Sequence, residues 1–166
     1  MTPAPAPDAF AIFGVPRALD IDAQELEQRY LQLSRECHPD HHQTDDAGDS
    51  VAVLQRAAEV NDAWNVLRDR WKRARALLEV EQPGVLEANK KLDPMFLADA
   101  LELAEDVEAA EGARAAALTA KMRAAVDDDF AATASAVASG DYAAAARCIH
   151  QAHYHRKALA DLEAKP

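Results

Sequence analysis

The tripeptide His38-Pro39-Asp40 brings together three residue types that suit recognition of a partner protein. On an exposed turn, the Asp40 carboxylate would form a strong and directional charge-assisted pair with an arginine of that partner. His38 can donate or accept a hydrogen bond, and Pro39 fixes the backbone of the turn. The same tripeptide could instead be an ordinary helix stop, so its meaning depends on the segments that flank it.

Residues 22–37, which precede the tripeptide, are predicted to form an amphipathic helix. Asp22 is the expected N-cap, because Glu25 follows three residues later in the spacing of a capping box. Pro39 ends the helix, since proline lacks the backbone N–H and restricts the residue before it. The predicted apolar face consists of Leu26, Tyr30 and Leu33.

A second helix is predicted over residues 50–67, after a polar loop at 41–49. Ser50 is its expected N-cap. Its apolar seam recurs at helical spacing and consists of Val53, Ala57, Val60, Trp64 and Leu67. Two helices joined by a short loop pack antiparallel, which would place His38-Pro39-Asp40 at one end of the pair.

The rest of the chain is also predicted to be helical, because alanine is abundant, glycine is scarce and β-branched runs are absent. Asp93 and Pro94 suit an N-cap followed by a first-turn proline. The further helices are expected at 8–13, 71–80, 93–111, 115–138 and 142–163. The predicted fold is therefore all-α, with an antiparallel helix pair and short flanking helices before a three-helix bundle. The expected divisions are a flexible tail at 1–8, a first domain at 9–80, a linker or elbow at 81–92 and the bundle at 93–166.

Leu97 and Leu101 lie one helical turn apart and away from the main apolar seam of the helix predicted at 93–111. That seam consists of Phe96, Ala100, Leu103, Val107 and Ala110. Tyr154 is likewise away from the seam of the last helix, which consists of Ala145, Ile149 and Ala152. The two leucines and the tyrosine suit a small apolar binding patch rimmed by acidic residues. Alternatively, a helix of a bundle buries a wide face, and both leucines would then belong to the core.

Charge and composition exclude several classes of function. The formal net charge of −11 disfavours binding to nucleic acid in general. No apolar run is long enough to span a bilayer. The tail carries no basic residue, so we expect neither a secretory signal nor a mitochondrial presequence, but a protein of the bacterial cytoplasm. Neither the two cysteines nor the group His150, His153 and His155 predicts a metal site, because nothing in the sequence completes a first shell.

The first half of the chain resembles a J-domain, the module that drives ATP hydrolysis by DnaK-type chaperones. The resemblance is carried by residues 10–14 (FAIFG), the His-Pro-Asp tripeptide, residues 61–64 (NDAW) and Arg73-Ala74. The second half resembles the C-terminal domain of the HscB family, co-chaperones of iron–sulfur cluster assembly, through Phe96-Leu97 and residues 101–103 (LEL). Together the two resemblances cover roughly residues 9–162.

The resemblance implies two partners and no chemistry of the protein's own. The J-domain would engage HscA, a specialised DnaK-class ATPase, through His38, Pro39 and Asp40, with Arg29 and Arg35 nearby. The bundle would bind the scaffold protein IscU. The implied scaffold-binding residues are Leu97, Leu101, Glu102, Glu105 and Tyr154.

No cofactor and no enzymatic activity are expected, because the chain has no nucleophile elbow or phosphate loop. Two other interpretations remain open at this point. One is a general J-domain co-chaperone with a different client. The other is a helical protein that uses its histidine clusters for metal binding or catalysis.

Overall fold

A computed structural model of the chain describes residues 8–37 and 47–165, which form eight α-helices and no strand. The predicted all-α fold is therefore confirmed. The chain divides into two compact units, Met1–Val80 and Glu81–Pro166. None of the described helices combines the length and the apolarity that crossing a membrane requires.

The first unit contains α1 (Ala9–Phe13), α2 (Ala23–Glu36), α3 (Ala47–Leu67) and nearly all of α4 (Arg70–Glu81). The predicted N-cap of α2 is confirmed, because an Asp22 carboxylate oxygen accepts a hydrogen bond of 2.8 Å from the backbone N–H of Glu25. Helix α1 ends at Gly14, whose φ of +65° is a left-handed conformation that favours glycine.

The predicted start of α3 at Ser50 is wrong. The helix begins at Ala47, so Ser50 lies inside it and is not its N-cap. Gly48 lies inside the helix, where one glycine costs only about 1 kcal/mol relative to alanine. The tripeptide His38-Pro39-Asp40 and the rest of the predicted loop up to residue 46 lie outside the described residues.

Aromatic side chains join the first three helices. The rings of Phe13 in α1 and Tyr30 in α2 are nearly parallel to that of Trp64 in α3, at centroid distances of 6.4 Å and 4.7 Å. The Tyr30 hydroxyl also donates a 2.9 Å hydrogen bond to the side-chain oxygen of Asn61. The predicted seams of α2 and α3 therefore form the shared core of this unit.

The second unit contains α5 (Val85–Ala88), α6 (Pro94–Ala109), α7 (Gly112–Ala138) and α8 (Tyr142–Glu163). Helices α7 and α8 are antiparallel, because Arg123 pairs with Glu163 whereas Asp129, further along α7, pairs with the earlier residue His155. Val107 and Ala110 near the end of α6 share a core cluster with Leu162 near the end of α8. The predicted three-helix bundle is confirmed.

Helix α5 was not predicted, because its one turn lies in the segment that the sequence suggested was a linker. Val85 and Leu86 are buried. The Leu86 carbonyl oxygen lies 2.8 Å from His150 Nε2 of α8, and Arg147 of α8 donates a hydrogen bond to the Asn89 side chain. A single turn is too short to show a helical period in the sequence.

Candidate partner-binding sites

Arg29 and Arg35, the two basic residues predicted to lie beside the His-Pro-Asp tripeptide, have different surroundings. The Arg29 guanidinium donates one hydrogen bond of 2.9 Å to the Phe13 carbonyl oxygen and another of 3.0 Å to the Gln32 side chain. Arg29 therefore ties the end of α1 to α2. Arg35 is exposed on the last turn of α2. Sequence reasoning missed the structural role of Arg29, since a bond across 16 residues has no local pattern.

The geometry of α6 is set by its cap and its seam. Asp93 is the N-cap, and its carboxylate accepts a hydrogen bond of 2.7 Å from the backbone N–H of Met95. The predicted seam faces the bundle, with its first three residues half-buried and its last two, Val107 and Ala110, buried. The helix is thus packed more deeply at its C-terminal end than at its N-terminal end.

Leu97 and Leu101 are exposed rather than part of the core. Their exposed fractions are 41% and 64%, and that of Met95, two residues before Leu97, is 75%. The sequence left open whether both leucines belong to the core or to an exposed patch, and in the structure both are exposed. Sequence reasoning did not include Met95, although a large apolar residue in the first turn and off the seam was a usable signal. Three large apolar side chains on one end of a helix form an unusual surface for a small domain.

Tyr154 approaches the same end of α6 from α8. Its half-buried ring contacts Phe96 edge to face, with 5.6 Å between the ring centroids. A narrow groove of about 70 Å³ runs from Tyr154 between the two helices and ends near Asp161. Tyr154 therefore lies beside Phe96, the residue before Leu97.

The rim of this surface is acidic. Glu102 and Glu105 are exposed, and no described residue forms an ion pair with either. Asp106, the residue after Glu105, pairs with Arg114 at 2.6 Å. The two glutamates thus present carboxylates that a basic partner side chain can approach without first breaking an ion pair.

The three histidines of α8 have separate neighbours. His150 binds the Leu86 carbonyl oxygen, exposed His153 touches the Tyr154 ring, and His155 Nδ1 lies 2.7 Å from an Asp129 carboxylate oxygen. The hydrogen bond to Asp129 raises the pKa of His155 above its ordinary value, although burial opposes the shift. Among the described residues, no group of three or more potential ligands could hold a metal ion.

Asp129 belongs to a run of three aspartates in the middle of α7. Asp127 and Asp128 are exposed, whereas Asp129 is half-buried against His155. The sequence gives no sign of this pair, because its partners are 26 residues apart.

Comparisons with known proteins agree with this two-unit architecture. A family model for the DnaJ domain matches residues 8–76, and one described as the HSCB C-terminal oligomerisation domain matches residues 92–163. The chain is 32% identical to a co-chaperone protein HscB homolog from Bordetella petrii over 96% of both chains. The chain belongs to the HscB family of co-chaperones. It is thus a J-domain co-chaperone and not an enzyme, and its J-domain implies a DnaK-class partner.

Other HscB proteins match to different extents. The homolog from Haemophilus ducreyi is 36% identical over 63% of this chain and 62% of its own length. A solved structure of chaperone HscB from Vibrio cholerae has 29% identity and a TM-score of 0.80, covering 94% of this chain and 95% of the other. The crystal structure of human co-chaperone protein HscB has a TM-score of 0.84 at 23% identity, covering 97% and 83% of the two chains, and supports the fold.

Proposed function

We propose that this co-chaperone binds an IscU-type iron–sulfur scaffold protein and delivers it to an HscA-type chaperone of the DnaK class. The leucine face binds the scaffold; we define this face as Leu97, Leu101, Glu102, Glu105 and Tyr154. The tripeptide His38-Pro39-Asp40 stimulates ATP hydrolysis by the chaperone, with Arg29 and Arg35 as neighbouring contacts. We further propose that it acts in the bacterial cytoplasm.

The observation that carries the proposal is the exposure of Leu97 and Leu101 on a helix whose seam residues Val107 and Ala110 are in the core. Burying one leucine side chain is worth about 1.5–3 kcal/mol. A partner that covers both therefore gains affinity from a small area. The neighbouring glutamates provide a polar rim, which is the usual arrangement around the apolar centre of an interface.

The two units also suit an adaptor. The candidate chaperone-binding residues belong to Met1–Val80, and the leucine face belongs to Glu81–Pro166. Two binding sites on one chain convert the second encounter into an intramolecular one, which raises the effective concentration of the client at the chaperone. No chemistry by the co-chaperone itself is needed for this effect.

A steady-state ATPase assay with the HscA-type chaperone tests both sites. We expect synergistic stimulation by the co-chaperone and the scaffold together. Asp40→Asn should abolish stimulation while scaffold binding persists, because the carboxylate that would pair with a chaperone arginine is lost. Stimulation that does not depend on the scaffold would instead indicate a general J-domain co-chaperone with another client.

Calorimetric titration with the scaffold tests the leucine face directly. Leu101→Ala should weaken binding by roughly tenfold, since it removes apolar area from the interface but no core contact. Leu54→Ala is the matched control, because Leu54 of α3 is 61% exposed but belongs to the first unit. Equal affinities for the two variants would contradict the proposal.

A further inference from the structure

The N-terminal half of α6, which bears Leu97 and Leu101, is held by fewer deep contacts than the C-terminal half. Phe96 is only half-buried, whereas Ala110 is fully buried. At the C-terminal end, the Lys165 ammonium also donates hydrogen bonds to three backbone carbonyl oxygens between Val107 and Ala110. The position of the leucine face therefore depends strongly on what supports Phe96.

Two rings of α8 support Phe96. Tyr154 contacts it with 5.6 Å between ring centroids, and His155 does so at 6.1 Å with an interplanar angle of 71°. Edge-to-face pairs of this kind are worth about 0.5–1.5 kcal/mol beyond the area that they bury. His155 is the better fixed of the two supports, because its Nδ1 also forms a 2.7 Å hydrogen bond with Asp129 of α7.

Asp129, His155 and Phe96 thus form a continuous row of contacts across all three helices of the bundle. We propose that His155 is a positioning residue for the leucine face: its ion pair with Asp129 fixes the imidazole against Phe96 and so holds the first turns of α6. This inference rests on the proposed function only for its effect on scaffold binding. The positioning itself is a property of the free protein.

The charge of His155 makes this support dependent on pH. Two charged residues of α7 act on the pKa of His155: Asp129 raises it and Lys121 lowers it. The residue of α6 that contacts the imidazole is the uncharged Phe96. Because the pKa is raised on folding, the ion pair is fully formed below the ordinary histidine pKa of about 6.5 and is lost as pH rises through the folded value. The support that His155 gives to Phe96 should therefore weaken as pH rises.

The first test uses the free protein and NMR. In the wild type, the Leu97 and Leu101 backbone amides should shift together with the His155 ring as pH rises from about 6 to about 9. Asp129→Asn should move all of these transitions to lower pH. Arg123→Gln is the matched control, since it breaks another pair of 2.7 Å between α7 and α8. Leucine amides that do not follow the His155 ring would overturn the inference, whatever the scaffold does.

The second test measures scaffold affinity by calorimetry at each end of that pH range. Asp129→Asn should weaken binding by about threefold to tenfold near pH 6 and converge with the wild type near pH 9. Titration of the scaffold itself cancels in the ratio of variant to wild type. A constant ratio would contradict the positioning role.

The two proposals can fail separately. If Leu101→Ala leaves scaffold affinity unchanged while the leucine amides still follow His155, the proposed function fails and the positioning role stands. If Leu101→Ala weakens binding while Asp129→Asn changes neither the amide shifts nor the affinity, the inference fails and the proposed function stands.

Discussion

The two units of the molecule have cores of different composition. In the first unit the fully buried side chains include large ones, namely Phe10, Phe13, Leu67 and Leu78. In the second unit the fully buried apolar residues are Val85 and four alanines, namely Ala110, Ala145, Ala146 and Ala152. Both units also expose large apolar residues, which are Leu31, Val51 and Leu54 in the first and Met95, Leu97 and Leu101 in the second.

This difference shows that the two units use apolar residues in different ways. Large side chains fill the space between the helices of the first unit and supply most of its burial energy. Alanines let the helices of the second unit approach closely, so their shape complementarity matters more than their area. Leu97 and Leu101 lie outside this core and are available for a partner, whereas Leu86 and Leu162 are buried in the unit itself.

The largest expected effect is that of Phe13→Ala. It removes a fully buried ring that packs beside Trp64, so we expect a loss of about 3–5 kcal/mol in the free energy of unfolding of the first unit. Both tryptophans of the chain, Trp64 and Trp71, belong to this unit, so urea unfolding followed by tryptophan fluorescence reports on it alone. Leu31→Ala, at a residue that is 47% exposed, is the control and should shift the midpoint much less.

Ala152→Leu should have a smaller effect, and on the second unit. Overpacking a fully buried alanine of α8 should cost about 1–3 kcal/mol. This loss of stability should appear in the unfolding transition that far-ultraviolet circular dichroism detects. The transition that tryptophan fluorescence detects should be unchanged. Ala124→Leu, at an exposed position of α7, is the control. A leucine at 152 that is tolerated as well as one at 124 would mean that the alanine core is not closely packed.

Asp8→Ala should have the smallest effect. The Asp8 carboxylate accepts hydrogen bonds from the backbone N–H groups of Phe10 and Ala11 and pairs with Arg17. Losing such a cap costs about 0.5–2 kcal/mol. Tryptophan fluorescence should detect the loss, with Glu27→Ala at an exposed position of α2 as the control. A loss as large as that of Phe13→Ala would mean that the cap, rather than the buried ring, dominates the stability of α1.

The features that sequence reasoning predicted correctly are those with a local cause. The cap at Asp93 and the seam from Phe96 to Ala110 follow from spacing along one helix. The exposure of Leu97 could not be decided in this way, because the width of a buried helix face depends on the neighbouring helices. The pair of Asp129 and His155 was missed for the same reason, since it exists only once α7 and α8 are packed together.

The contacts of Lys165 have a consequence for chemical labelling. Its ammonium donates hydrogen bonds of 2.5, 2.9 and 2.8 Å to the carbonyl oxygens of Val107, Glu108 and Ala110, and these bonds exist only while the end of α6 is docked. An amine-reactive reagent should therefore modify Lys165 more slowly than exposed Lys157, and undocking of α6 should remove that difference. The ratio of the labelling rates of these two lysines therefore reports how often α6, the helix that carries the leucine face, detaches from the bundle.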